Sequence, residues 1–347
     1  MKYRPVLIFF RSYCVFLIFT FTQLSCEEDF DPKGGFRDEY VVNCIFSGTY
    51  TYYQENNLGR PVINVKAYIT KTFEPINILA PDTATAALVR GAKISLSQNY
   101  LNYDLRDYYL RFSPQDGKYY EVPAGFYSPV SSERIKFQTD LPVKMTVTMS
   151  DGKVLKSAAS IPDRTDFTLN TDFPHGITPD INQFIWGNGV TIKWDNNTNH
   201  LVIAALVIEY RKISTNQNFT VTVPMKYVKQ NDKFVPVYPS MGKYSSAHFE
   251  FAAFDSALKS IAAADPDKQN YAVGRCSVSM IEFDSELSTY FSSVHGSLDS
   301  YSVRLDENIY SNINGGLGIM GAFMKTTMPI NFDPEYIKTF GYKFVEY

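Results

Sequence analysis

Apolar and polar positions alternate in this chain over short runs separated by turn residues, which is the period of half-buried strands rather than of helices. Tyr40–Phe46, Ile63–Ile69, Ala92–Ser97, Tyr108–Phe112, Ile135–Phe137 and Val143–Met149 all read as strands on this criterion. Ser150-Asp151-Gly152 separates the last of them from Val154-Leu155. Asp-Gly is favoured where a tight turn needs positive φ, so the spacing predicts a hairpin there. Strands spaced this way, with no helical period between them, predict an antiparallel sandwich that ends near Ile161-Pro162, where proline stops pairing.

A second set of runs follows. Gly189–Trp194, a polar turn at Asp195–His200, Leu201–Tyr210 and the alternating Cys276–Met280 read as strands. The tryptophan strand followed by a strand ending in Ile-Glu-Tyr resembles the opening of a fibronectin type III module. Two helices interrupt the strands. Near 255–264, Asp255 is placed to cap, Leu258 and Ile261 share a face, and Pro266 lies beyond the end. Near 285–295, Leu287, Tyr290, Phe291 and Val294 recur at helical spacing between Asp284 and Gly296. The expected division is therefore a sandwich over 39–162 and a second β-rich domain over 163–347.

The N-terminal segment follows neither pattern. Lys2, Arg4 and Arg11 precede the apolar stretch Cys14–Phe21, then Leu24-Ser25-Cys26 and the acidic run Glu27-Glu28-Asp29. This is the order of a secretory signal ending at a cysteine. The uncharged stretch is shorter than the roughly 20 residues that a membrane helix needs. Leu-Ser-Cys resembles a bacterial lipobox, although Gln23 stands where an aliphatic residue is usual. Residues 1–25 are then the signal peptide and Cys26 the lipidated residue, each buried lipid methylene contributing about 0.8 kcal/mol. Residues 26–38, with Pro32 and Gly34-Gly35, read as an acidic tether that reaches roughly 40 Å when extended.

Composition narrows the picture further. A chain of 347 residues that is 45% hydrophobic and 20% charged holds enough apolar surface for two cores. Losing Lys2, Arg4 and Arg11 with the leader takes the formal charge from −3 to −6. Neither half has a basic run suited to phosphates, so nucleic acid is not an expected partner. Aromatic content of 15%, with 25 Tyr and 26 Phe against 2 Trp, favours pleated surfaces. With Cys14 removed and Cys26 lipidated, Cys44 and Cys276 are left either to pair across the chain or to be buried as free thiols. No Cys-x-x-Cys is present, and no metal site is expected.

Several segments taken in order carry a family resemblance: Tyr40-Val-Val-Asn-Cys44, Gly91–Leu96, Asp151-Gly152-Lys153 before Ile161-Pro162, the helix at Tyr290-Phe291, and Tyr310-Ser-Asn-Ile-Asn-Gly-Gly-Leu-Gly318 running on to Ala322. The chain resembles the Bacteroidetes lipoproteins classed under domain of unknown function 4249. The resemblance implies a surface-exposed outer-membrane lipoprotein with an N-terminal immunoglobulin-like β-sandwich, found with SusC-like and SusD-like nutrient-uptake proteins. The run Glu27-Glu28-Asp29 looks like the export signal of such lipoproteins. No catalytic residues carry over from the family.

Candidate chemistry is sparse. Gly316-Leu-Gly318-Ile-Met-Gly321 matches a dinucleotide fingerprint, but Pro329 precludes the long helix that must follow, so the glycines are read as a turn leading into a closing strand. Carboxylates fall together at Asp104 with Asp107, Asp166 with Asp172, and Glu282 with Asp284 and Glu286. His175, His200, His248 and His295 show no ligand spacing. Tyrosines concentrate at Tyr50, Tyr52, Tyr53, Tyr100, Tyr103, Tyr108, Tyr109, Tyr119 and Tyr120, where cross-strand packing competes with stacking on a glycan or peptide ligand, and Tyr100–Phe112 is the first place to look. The expectation is a non-enzymatic accessory binding protein without cofactor, anchored at the cell surface beside a transporter. The alternative is a structural or adhesive surface protein; an enzyme and a soluble periplasmic protein are further readings.

Overall fold

Burial alternates along the first strands as the pattern expects, and their pairing closes a sandwich. The computed structural model describes residues 39–51, 61–72, 89–113, 118–130, 134–170, 189–195, 200–295 and 310–345, and these are mainly β. The first half contains β1 (Tyr40–Thr51), β2 (Val62–Lys71), β3 (Lys93–Gln98), β4 (Leu101–Ser113), β5 (Lys118–Ser128), β6 (Pro142–Thr148) and β7 (Val154–Ser160). β1, β2, β5 and the second half of β4 pair in that order. The first half of β4 pairs with β3, which continues to β6 and β7. This is the four-on-three strand order of an immunoglobulin-like sandwich, with one strand crossing between sheets. Val42, Cys44 and Phe46 of β1 share its core with Leu96, Met145, Val147 and Leu155. The hairpin stands where Asp-Gly predicts it: Gly152 has φ +85°, and the Met149 N–H donates to Lys153 O at 2.9 Å.

Ile135–Phe137 is a correction. Both apolar residues are buried, but only Ile135 bridges a neighbour, Ile63. Side chains serve this backbone instead: the Lys136 N–H donates to the Tyr103 hydroxyl at 3.0 Å and the Gln138 N–H to Gln98 Oε1 at 2.6 Å. Alternation reported burial there, not pairing.

The second half contains β8 (Phe167–Asn170), β9 (Gly189–Trp194), β10 (Val202–Lys212), β11 (Gln217–Val223), β12 (Lys226–Gln230), β13 (Lys233–Val237), β14 (Ser246–Glu250), β15 (Tyr271–Phe283), β16 (Leu317–Asn331) and β17 (Lys343–Phe344). Helices α1 (Phe251–Ile261), α2 (Ser285–His295) and α3 (Pro334–Thr339) lie between them. The sheet β8-β9-β14 packs on β11-β10-β15-β16 around Trp194, Leu206, Phe249 and Val278. Three strands on four is the arrangement of a fibronectin type III module, and the buried Trp194 closes β9 as that resemblance implies.

β16 belongs to both sandwiches. It runs antiparallel to β15, from Arg275↔Asn331 to Phe283↔Phe323, and parallel to β1, from Val41↔Leu317 to Thr51↔Thr327. The division at 162/163 thus cuts across both the sheet and the first core, which takes in Ile313, Met320, Ala322 and Met324, and both cores lie on one face of the sheet. Just before β16, Asn314 exchanges backbone hydrogen bonds with Lys156 of β7 at 3.1 and 2.8 Å. Pro329 sits beyond the last described β1 pair, so its missing N–H costs no bond to β1.

The helix expected near 255–264 begins four residues earlier. Phe251, Phe254, Ala257 and Leu258 form one buried face that extends it backward, so Glu250 occupies the N-cap position and Asp255 lies inside, accepting from the Tyr336 hydroxyl at 2.8 Å. α2 has the predicted bounds. α3 adds a third helix to the two that the pattern predicts: Asp333 caps it and Pro334 occupies its first turn. Among the described residues no helix is long and apolar enough to cross a membrane.

Cys44 and Cys276 are free thiols in separate cores, and burial pushes both up, Cys44 to about 12. Excess dithiothreitol is therefore expected to leave the thermal midpoint of the chain from Glu27 onward unchanged; a reducible loss of stability would mean that they pair.

Candidate functional site

Polar groups collect where the two sandwiches share β16. Alternation along β15 turns Val278 and Met280 into the second core, and Glu282 continues the same face. Its Oε2 accepts from Thr165 Oγ1 at 2.7 Å, and its Oε1 lies 2.9 Å from His200 Nδ1. Thr165 stands in the connection between the two sandwiches, next to Asp163, which accepts from the Tyr50 hydroxyl at 3.0 Å. The Asp163 N–H donates to Asp140 Oδ1 at 3.3 Å. Burial and the Asp163 charge raise the Asp140 carboxyl above the usual aspartate range, against the pull of that N–H. Burial, followed by the hydrogen bond to Asp163, pushes Tyr50 up to about 12. Thr326, fully buried on β16 between Tyr50 and Met280, completes this seam, and its hydroxyl has no partner among the described residues.

On the opposite face of the sheet, α2 covers the joint. Leu287, Tyr290 and Phe291 pack with Ile45 of β1, Ile203 of β10 and Ile319 and Phe323 of β16. Asp284 ties the helix down: Oδ1 accepts from the Leu287 N–H at 2.8 Å, capping α2, and Oδ2 from the Ala322 N–H at 2.9 Å. Glu286 accepts from the Tyr310 hydroxyl and from Asn312 Nδ2, and Asn312 also bridges both backbone groups of Met320.

The carboxylates at 282, 284 and 286 are therefore brought to one joint but serve three different anchors. A catalytic histidine–carboxylate pair orients the ring toward a nucleophile. Here the neighbouring hydroxyl, Thr165, donates to the carboxylate itself, which makes the group a strut between sandwiches. Asp104 and Asp107 are exposed on β4, and Asp166 pairs with Arg164 at 3.1 Å. His248 meets Thr191 at 2.8 Å on the surface. Cys26, Tyr52, Tyr53, Asp172 and His175, together with the side chains of Tyr109, Tyr119, Tyr120 and His295, lie outside the described residues. Among the described residues no group of three His, Cys, Asp or Glu is placed to hold a metal ion.

Packing claims most of the described tyrosines. Tyr103 meets Phe137 edge-on at 5.0 Å, and Tyr108 stacks on Phe126 at 5.6 Å while its hydroxyl donates to Pro129 O. Tyr100, in the turn before β4, is 84% exposed. The glycine run is spent on close approach: Gly318 has φ +111° against Val42, and a Cβ at Gly321 would lie 2.5 Å from Leu287 Cγ. Asp140, Asp163 and Thr165 belong to no motif in the sequence. The polar stretch Asp163–Asp166 directly after Ile161-Pro162 was the available signal.

No family model matches the chain, and no curated protein matches it.

Proposed function

We propose that this protein is a lipid-anchored surface lipoprotein of the outer membrane that works by holding partners rather than by turning over a substrate. The observation that carries this reading is the order of segments: basic and apolar leader, Leu24-Ser25-Cys26, acidic run, then a first strand at Tyr40. The joint supports a binding role, because its clustered carboxylates accept hydrogen bonds that hold the connection between the sandwiches, the shared strand β16 and the segment before it in one arrangement. The resemblance through Ser311–Gly318 makes a SusC-like and SusD-like pair the partner to look for, with a glycan or peptide as ligand. Two sandwiches fused through one strand also favour an adhesive role as the second reading.

Cys26→Ala is expected to abolish palmitate labelling and to move the protein into the soluble fraction after a high-salt wash. Retention of the unlabelled variant in washed membranes would overturn the anchor. Pull-down of the lipidated protein in mild detergent is expected to bring the transporter pair. Concentration-dependent self-association without any transporter would favour adhesion.

A further inference from the structure

The ribbon β12–β13 stands outside the large sheet. Its turn residues Asn231 and Asp232 have φ +48° and +61°, the two-residue loop that suits a twisted hairpin. Tyr227 packs against the second core at the base of the ribbon. Lys229 lies directly opposite Phe234, and Gln230 opposite Lys233. Phe234 is 72% exposed; Val235, on the other face of β13, and Tyr238 and Tyr244 farther along the chain are exposed as well.

The charge here reverses that of the chain. Residues 224–244 hold Lys226, Lys229, Lys233 and Lys243 against the single acid Asp232, whereas the whole protein carries −3. Asp232 lies 2.8 Å from Lys229, an exposed pair of little strength. Lys226, Lys229 and Lys233 form no basic run in the sequence; hairpin pairing gathers them on one ribbon, Lys229 on the face of Phe234 and Lys226 and Lys233 on the other.

We propose that this ribbon docks tip-first on an anionic lipid surface, with Phe234 entering the headgroup layer and Lys226, Lys229 and Lys233 meeting lipid phosphates from its two faces. An aromatic ring flanked by lysines combines apolar insertion with electrostatic attraction, the two terms that hold peripheral segments on membranes. A second copy is the poorer occupant, because a two-fold contact sets one lysine-bearing ribbon against another. The convex tip of a two-stranded ribbon fits a deformable surface better than a preformed protein groove. The inference does not rest on lipidation of Cys26, and its test omits that residue.

The chain from Glu27 onward, which retains every described residue, is mixed with phosphatidylcholine vesicles with and without phosphatidylglycerol and sedimented. Binding to the anionic vesicles and release by salt are expected. Phe234→Ala should weaken binding about tenfold, and Lys229→Glu with Lys233→Glu by at least about tenfold. These positions are exposed, so thermal midpoints should hold and confirm that each variant is folded. No sedimentation with anionic vesicles, equal binding to neutral ones, or unchanged binding by the variants would overturn the proposal. So would a concentration-dependent dimer that Phe234→Ala abolishes, since that result assigns the ribbon to a second copy.

Discussion

Gly318→Ala is expected to destabilise the protein by about 4 kcal/mol, through strain of the left-handed backbone and overpacking acting together. Gly318 has φ +111°, and a Cβ there would lie 2.1 Å from Val42 O and 2.7 Å from Val42 C. Those atoms are backbone of β1, held on its other side by β2, so they cannot swing aside as a side chain can. The strain falls on the strand that joins the two sandwiches. Two controls separate the contributions. Gly91 has φ +74° with nothing within 4 Å of an added Cβ, so Gly91→Ala carries backbone strain alone, about 1 kcal/mol. A Cβ at Gly48 would meet the Sδ and Cε of Met324, the end of a flexible side chain, so Gly48→Ala carries packing alone, about 2 kcal/mol. Urea unfolding should show the largest loss for Gly318→Ala, then Gly48→Ala, then Gly91→Ala. A loss at Gly318 no greater than at Gly91 would show that β16 is not clamped at its start.

The same strand marks where sequence reasoning succeeds and where it stops. Alternation at Tyr40–Phe46, Ile63–Ile69 and Val143–Met149 finds strands because each has one face in a core. It misses Gln217–Val223, Lys226–Gln230 and Lys233–Val237 because these are largely exposed and alternate weakly. It cannot foresee that β16 would pair with β1, since a parallel pairing between residues 41 and 317 leaves no local trace. The glycine run is legible as a turn entering a strand, yet its real demand is set by Val42 and Leu287, far away in sequence. Likewise Glu282, Asp284 and Glu286 are visible as a cluster, whereas their separate duties depend on where a strand ends and a helix begins. Asp255 misleads for the opposite reason: it satisfies a local capping rule, but the buried face of Phe251 and Phe254 outweighs it.

Asp284 also makes stability depend on pH in an unusual direction. Burial pushes its carboxyl up to about 7; the Glu286 charge adds to that, while the N–H groups of Leu287 and Ala322 and the His200 charge oppose it. In an unfolded chain an aspartate titrates near about 3.9. Between those values the folded protein keeps a proton that the unfolded chain has lost. The contribution of this site is therefore complete below about pH 4 and is lost as the pH rises through about 7, a swing of about 4 kcal/mol. Asp284→Asn cannot ionise. Its single carbonyl oxygen serves either Leu287 or Ala322, while its amide group faces the other N–H, at a cost of about 2 kcal/mol. The variant should thus be about 2 kcal/mol less stable than the parent at about pH 4, and the order should invert as the pH rises, leaving the parent about 2 kcal/mol the less stable by about pH 8, once it has lost its contribution. Asp140, also raised, tilts both profiles alike and drops out of their difference. A gap that stays constant over this range would mean that Asp284 titrates as an ordinary aspartate and that the joint is held open to water.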